Sequence, residues 1–357
     1  MTVNPKKINV AICGIGRIGK YHAMNIVNRI NKASLVAGCT ISTSDKQWAE
    51  ENLVPHGVTI YDSYDEMLAH PGIDMVLIAS TTSTHADQTV KAVEAGYHVL
   101  CEKPFSTSVA DAQRVVEIAA KHPDQKILCG FSRRFDDSYR DAKLKIDSGE
   151  YGVPKVFRSQ TCDRRDETGF FVKYAANSGG ILVDCAIHDL DLCLYFMGGK
   201  ASGDSIPKSM YAVGITAIHP ELAEHNDSDN AMAVIKFHNG TIANIYASRM
   251  MVHGQEDATE IICTEGKLSV NNHPQTNLVT IYDKHGLRNE VPKDFYGRFE
   301  MAFVNEMNSF LGYIINDEPV PFSLEGNVKV LQWAVWLQES LETGELIQFD
   351  ASGNRLA

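Results

Sequence analysis

The sequence predicts an α/β domain built on a parallel sheet over residues 1–130, followed over residues 131–357 by an α+β domain whose large sheet is mostly antiparallel. Three observations predict it. Short β-branched runs alternate with amphipathic segments through the first third of the chain, the pattern of parallel strands joined by crossover helices. From residue 209 to 281 strand-like runs follow one another, with turn signals such as Asn239-Gly240 between them, which suits antiparallel pairing. Two helical segments, near 298–315 and 326–343, close the chain.

Residues 8–13 read as the first strand, 34–41 as the second, 75–79 as a buried strand, and 98–101 and 126–129 as two more. A helix is expected over 18–28. Another is expected over 84–95, stopped by Gly96, whose missing Cβ suits a left-handed cap. In the second domain strands are expected over 210–218, 230–237, 242–248, 260–263 and 267–270.

Composition narrows the function classes. The 357 residues are 44% hydrophobic and 22% charged, ordinary globular values with length for about two domains. No run approaches the roughly 18 apolar residues of a membrane span, and the first seven residues lack the apolar stretch of a signal peptide, so a cytoplasmic protein is expected. A formal net charge of −12 argues against nucleic acid and anionic membranes, which select basic surfaces. Small molecules are the expected partners. The 8 cysteines are scattered without metal-ligand spacing and read as reduced core residues, and no metal site is expected.

The first chemical motif is Gly14-Ile15-Gly16-Arg17-Ile18-Gly19, placed directly after a strand and opening a helix. Glycines there permit a tight turn and let the backbone approach a pyrophosphate, whose charge then meets the unpaired amides of the helix N-terminus. This is the dinucleotide-binding fingerprint of a Rossmann domain; a plain glycine turn is the competing reading. About 20 residues on, where an acid usually holds the adenosine ribose, the chain has Thr40, followed by Ser42, Thr43 and Ser44. Hydroxyls with the Arg17 guanidinium suit a 2′-phosphate, which a carboxylate would repel, so NADP is expected. The alternative is NAD, with Asp45 taking the place of the missing acid.

The second motif, Glu102-Lys103-Pro104, ends a strand at the carboxyl edge of the sheet, which puts the lysine at the cofactor crevice. The third is the stretch from Ser178-Gly179-Gly180 through Asp184, His188, Asp189 and Asp191 to Gly198. It reads as one helix with apolar residues nearly all round, hence buried, and buried carboxylates and imidazoles need a reason. Asp184 and His188, four apart, are expected on one face, with Asp191 three further on much the same side. A carboxylate beside an imidazole suits a general base near neutral pH; satisfied structural polar groups, or a divalent metal site, are the alternatives.

Taken with Ala79-Ser80-Thr81-Thr82-Ser83-Thr84-His85 and Gly130-Phe131-Ser132-Arg133-Arg134-Phe135-Asp136, these motifs resemble the family of glucose-fructose oxidoreductase and inositol dehydrogenase over essentially the whole chain, and inositol dehydrogenases most. The resemblance implies hydride transfer between a nicotinamide cofactor and a secondary alcohol of an inositol or pyranose sugar. It implies Lys103, Asp184 and His188 as the catalytic group: His188 removing the hydroxyl proton, Asp184 bonding the substrate and tuning His188, and Lys103 binding the reacting or adjacent oxygen. It also implies a cis Lys103-Pro104 bond and a homodimer or homotetramer formed through the C-terminal sheet. Gly14, Ile15, Gly16, Arg17, Ile18, Gly19, Thr40, Ser42, Ser80, His85, Glu102 and Lys103 are assigned to the cofactor. Ser132, Asp163 and Tyr296 join Lys103, Asp184 and His188 as substrate contacts. Thr40 departs from the acid of NAD-using inositol dehydrogenases, and Ser132 from the bulkier apolar residue usual there. Two other functions stay open: a non-catalytic dinucleotide-binding sensor of the same fold, and a reductase of keto sugars or dihydrodiol-type substrates.

Overall fold

A computed structural model describes residues 7–198 and 205–356. The chain divides into two compact units. The first runs to Ser132 and includes Met301–Val328, and the second comprises Arg133–Glu300 and the chain from Lys329 onward. The expected domain boundary after residue 130 lies two residues from the first division, but it has no counterpart for the return of residues 301–328 to the first unit. That return is visible in contacts no motif announces: Phe303 meets His22 edge-on at 5.4 Å, and Asp317 pairs with Lys126 at 2.9 Å.

In the first unit β1 (Ile8–Cys13), α1 (Arg17–Arg29), β2 (Ala33–Cys39), α2 (Thr43–Asn52), β3 (Thr59–Tyr61), α3 (Tyr64–Leu68), β4 (Met75–Ile78), α4 (His85–Glu94), β5 (His98–Glu102), α5 (Val109–Lys121) and β6 (Ile127–Gly130) follow one another. The strands lie in the order β3-β2-β1-β4-β5-β6, and every pairing is parallel. This is the Rossmann order, reversing between β1 and β4, where open α/β sheets bind ligands beyond the strands' carboxyl ends. All four residues of β4 are buried, as befits a strand covered on both faces. β3 escaped the sequence reading because three residues are too few to show a period.

The second unit contains α6 (Asp137–Asp147), β7 (Pro154–Arg164), α7 (Phe170–Ala175), α8 (Ile181–Asp184), α9 (Ile187–Met197), β8 (Pro207–Ile215), β9 (Asn230–Phe237), β10 (Ile242–Met251), β11 (Glu256–Cys263), β12 (Lys267–Val270), β13 (Thr280–Asp283) and β14 (Gly286–Asn289). The chain then forms α10 (Phe295–Ile315), which starts in this unit, α11 (Leu324–Thr343) and β15 (Ile347–Gln348). The large sheet runs β12-β11-β7-β10-β9-β8-β15. Its pairings are antiparallel except for β7 with β10. The mostly antiparallel sheet expected from residues 209–281 therefore gains a central strand from earlier in the chain, with one parallel pairing. Strands alternate as a one-sided sheet requires: in β9 Ala231, Ala233, Ile235 and Phe237 face inward, while Met232 and Val234 are exposed. Phe157 of β7 stacks on Phe196 of α9 at 6.4 Å, which seats the helix on the inner face.

The single helix expected across residues 178–198 is broken. α8 ends at Asp184 and α9 starts at Ile187. The Ile181 carbonyl accepts both Cys185 N–H and Ala186 N–H at 3.0 Å, and the five-residue reach of the second bond closes α8 in a wide turn. Asp184 and His188 therefore belong to different helices, yet both stay partly exposed in a stretch that is otherwise buried.

Asp189 and Asp191 are structural. Asp191 takes both arms of Arg134, at 2.8 and 2.6 Å. Asp189 accepts Ser159 Oγ at 2.5 Å and Thr161 Oγ1 at 2.6 Å, and Arg133 donates to it at 3.4 Å while reaching Asp257 at 3.0 Å and Thr161 at 2.8 Å. These groups are buried, and fork-to-carboxylate bonding is what keeps such charges tolerable. The reason sought for the buried acids is thus packing for two of them, and it explains Arg133-Arg134 as well. Removing one partner strands the other: Asp191→Ala is expected to lower stability by about 3–5 kcal/mol in urea unfolding, whereas a change below about 1 kcal/mol would mean that Arg134 finds solvent.

Candidate active site

The first unit gathers its motif residues at the carboxyl edge of the sheet. Gly14 N–H donates to the Cys39 carbonyl at 3.0 Å and Ala79 N–H to the Cys13 carbonyl at 2.7 Å, so the glycine loop, the end of β2 and the end of β4 share one rim. The glycines divide the work. Gly14 has φ +87°, and a Cβ on it would stand 2.5 Å from the Ala79 carbonyl and Ser80 Cα. On Gly19 a Cβ would lie 1.9 Å from the Gly14 carbonyl oxygen, so both positions are closed by packing. Around Gly16 nothing lies within 4 Å of an added Cβ. That open space over the N-terminus of α1 is the cradle a pyrophosphate needs, and the residues present fit a dinucleotide. Ile15 is fully buried and fills the core below the loop, which leaves only its backbone for a ligand. Arg17 is exposed in the first turn of α1, with Ile18 half-buried behind it.

Thr40 follows β2 and is buried, its hydroxyl accepting Ser42 N–H at 3.3 Å. Ser42 caps α2 through Asp45 N–H at 3.3 Å and lies 3.1 Å from the Ser44 hydroxyl. The Asp45 carboxylate is bound to Lys20 of α1 at 2.7 Å. Ser80 donates to Gln88 at 2.6 Å. His85 is buried, and burial pushes its pKa down; its Nδ1 lies 2.8 Å from the Pro104 carbonyl and its Nε2 3.1 Å from the Ser80 carbonyl, which ties the turn that carries Lys103 to the end of β4. The Lys103-Pro104 bond is cis. Glu102, assigned to the cofactor on sequence, is buried with its Oε1 2.6 Å from His22 Nε2 and supports the turn from behind. Ser132 is buried just after β6.

In the second unit Asp163, Asp184 and His188 come from β7, the end of α8 and the first turn of α9. Across residues 181–190 every residue is buried except Asp184 and His188, which are partly exposed. The approach to Asp184 is fixed at its N-terminal side. The orphan amides of Ile181 and Leu182 are taken by Asp227 Oδ1 at 2.8 Å and Gln338 Oε1 at 3.2 Å. Gly180, at φ +91°, lies so close to Gln338 that a Cβ would come within 2.2 Å of its side chain. Asp184 is ion-paired with Arg249 at the end of β10. The Arg249 guanidinium lies over the Phe171 ring at 3.5 Å; burial opposes its charge, but Asp184 and Asp163 hold it firmly protonated. Asp163 accepts Gln255 Nε2 at 2.8 Å. Tyr296 lies half-buried in the first turn of α10. Sequence reasoning missed Arg249, Gln255 and His22. None stands in a recognisable motif, and their only signal was a charged or polar side chain at or near a strand or helix that reads as buried. Among the described residues no three His, Cys, Asp or Glu side chains are grouped to hold a metal ion, all 8 cysteines are free and buried, and no helix is long and apolar enough to cross a membrane.

Comparison with known proteins decides the lineage. Residues 8–130 match the model of the GFO/IDH/MocA oxidoreductase family, NAD-binding Rossmann fold, and residues 139–269 match the GFO/IDH/MocA C-terminal domain. The chain belongs to the GFO/IDH/MocA oxidoreductase family. That family is one of oxidoreductases with an NAD-binding Rossmann fold. Among its relatives, the scyllo-inositol 2-dehydrogenase (NAD(+)) of Bacillus subtilis is 32% identical over 96% of this chain and 97% of its own length. The myo-inositol 2-dehydrogenase of Thermotoga maritima is 29% identical over 96% of this chain and 99% of its own. The crystal structure of scyllo-inositol dehydrogenase from Lactobacillus casei with bound NAD(H) and scyllo-inositol superposes with a TM-score of 0.89 at 33% identity, covering 96% of this chain and 99% of that one.

The glycine geometry separates binding from folding. Gly16→Ala is expected to melt within a degree or two of the parent yet weaken dinucleotide binding by about tenfold or more, roughly 1.4 kcal/mol, since its methyl enters the cradle. Gly14→Ala is expected to lose thermal stability. Calorimetry with a fluorescence titration checks both, and tight binding by Gly16→Ala would move the phosphate site elsewhere.

Proposed function

We propose that the protein oxidises a secondary alcohol of an inositol ring, with His188 as proton acceptor and NADP(H) favoured over NAD(H). The observation that carries the substrate class is the end-to-end likeness to the Lactobacillus casei dehydrogenase solved with scyllo-inositol. A pyranose, with a similar ring of secondary hydroxyls, is the neighbouring choice. When bound, the nicotinamide supplies the hydride acceptor. His188 takes the hydroxyl proton, a task suited to an imidazole because its proton exchanges near neutral pH. Asp184, held by Arg249, accepts a hydrogen bond from the substrate and helps set the histidine. Lys103 binds the reacting or adjacent oxygen, and Ser132, Asp163 and Tyr296 are assigned to neighbouring hydroxyls.

The cofactor preference rests on Thr40 and Ser42. A carboxylate at the end of β2 would accept from the ribose hydroxyls and repel a 2′-phosphate. Here that position offers hydroxyls, and the nearby acid Asp45 is occupied by Lys20. Arg17, exposed beside the loop, has the fork that suits phosphate. The apolar outer face of β8–β10, with Tyr211, Val213, Met232, Val234 and Ile242 exposed, supports assembly into a homodimer or homotetramer. A monomer in sedimentation velocity would remove that assignment. The net charge of −12 supports small-molecule partners rather than nucleic acid.

Steady-state assays of inositols and pyranoses with each cofactor test the reading. His188→Ala is expected to lose about 10²–10⁴-fold in kcat while still binding dinucleotide. Thr40→Asp is expected to shift the NADP-to-NAD ratio of kcat/KM toward NAD by about tenfold or more. An NAD preference in the parent would sink the cofactor claim alone. Dinucleotide binding without turnover of any polyol, sugar or ketone would make the chain a sensor.

A further inference from the structure

The arginine that holds Asp184 is bound differently from the buried arginines of the same unit. Arg249 donates to Asp184 through Nη2, while its Nε is buried without a hydrogen-bond partner among the described residues. Arg134 shows the alternative: its Nε and Nη2 both bond Asp191, and two parallel bonds set the plane of the guanidinium against the carboxylate. A one-armed bond does not set that plane for Arg249, so the aim of the pair depends on another contact.

That contact is an aromatic ring on α7. The guanidinium carbon of Arg249 lies 3.5 Å from the centre of the Phe171 ring, against 5.2 Å for Arg134 over Tyr195, and a planar cation that close to a ring stacks on it. Both partners are anchored separately. Phe171 N–H donates to Asp166 Oδ2 at 2.9 Å, and the other oxygen of Asp166 accepts the N–H and the hydroxyl of Thr168 at 2.9 and 2.6 Å. The Phe171 side chain is buried with Ala175 and Leu222, and the His219 ring meets it edge-on at 6.3 Å. Arg249 N–H donates to the Asp229 carbonyl at 2.9 Å, which fixes its backbone on the sheet. Filling the space beside Leu222 would need only a side chain of leucine's kind; what leucine lacks is the ring face that Arg249 uses.

We propose that Phe171 is a positioning residue for Asp184: its ring sets the plane of the Arg249 guanidinium, and the guanidinium in turn aims the Asp184 carboxylate. Phe171 acts through Arg249 and needs no contact with the substrate. The proposal rests on the reading that Asp184 bonds the substrate.

The test measures kcat and KM for scyllo- and myo-inositol, dinucleotide binding and thermal melting in full-chain variants. Phe171→Leu is expected to melt within about 4 °C of the parent and bind dinucleotide within about twofold, yet lose about tenfold in kcat/KM. Phe171→Tyr, which keeps the ring face, is expected to stay within about threefold of the parent. Added to Arg249→Met, Phe171→Leu is expected to cost less than about twofold more, since the group it acts through is gone. Unchanged kcat/KM in Phe171→Leu overturns the proposal. So does a loss that Phe171→Tyr shares in full, or one that recurs undiminished beside Arg249→Met. Asp184→Asn is the control: full turnover there would sink the reading of Asp184 itself, whereas a dead Asp184→Asn beside a fully active Phe171→Leu sinks only the role of Phe171.

Discussion

The second unit depends on four buried charges. Arg133 and Arg134 are successive residues, and their guanidinium groups are spent on Asp189 and Asp191, two residues apart on α9. An unpaired charge at such depth costs several kcal/mol, so α9 has one rotational setting in which both pairs close. A helix turns about 100° per residue, and fixing Asp189 inward therefore also fixes where His188 faces. The half-buried state of His188, in a stretch otherwise sealed, follows from ion pairs it takes no part in. The same logic sets Asp184: the amides that begin its short helix are tied to Asp227 and Gln338, and Arg249 holds its carboxylate.

The first unit solves a different problem, that of bringing backbone close to a bulky anion without losing packing. Gly14 and Gly19 are closed positions where the loop folds on itself and on the end of β4, and Gly16 alone keeps open space. One loop thus combines two packing glycines with one that admits a ligand. Behind β5 the buried Glu102–His22 pair does for the Glu-Lys-Pro turn what the arginine clips do for α9. In both units a side chain proposed for the reaction stands on backbone whose placement is set by buried polar groups.

Much of the fold was legible because local patterns carry it. β9 and β12 occur over the residues that alternation marked, and the parallel sheet of the first unit follows from apolar runs separated by helices. The glycine loop was legible because strand, turn and helix are contiguous there. β3 was too short for a period. β7 lies before the helices that separate it from its sheet partners, so nothing local announced that it would run beside β10 and β11. The residues proposed for the reaction, Lys103, Asp184 and His188, sit in motifs, whereas Arg249, which holds Asp184, is a single charged residue in an ordinary strand.

By itself the sequence determined the two fold classes, the glycine turn with its dinucleotide, and the family. These depend on residues near one another in the chain, where spacing and geometry are coupled. Tertiary structure alone decided that Asp189 and Asp191 are structural, that α8 and α9 are separate, that Asp45 is occupied by Lys20, and that Met301–Val328 packs with the first unit. For all of these except the α8–α9 break the physical reason is the same. Whether a buried charge is satisfied, and which surface an apolar helix covers, depend on partners tens to hundreds of residues away, and a carboxylate in a sequence looks the same whether an arginine waits for it or a substrate does.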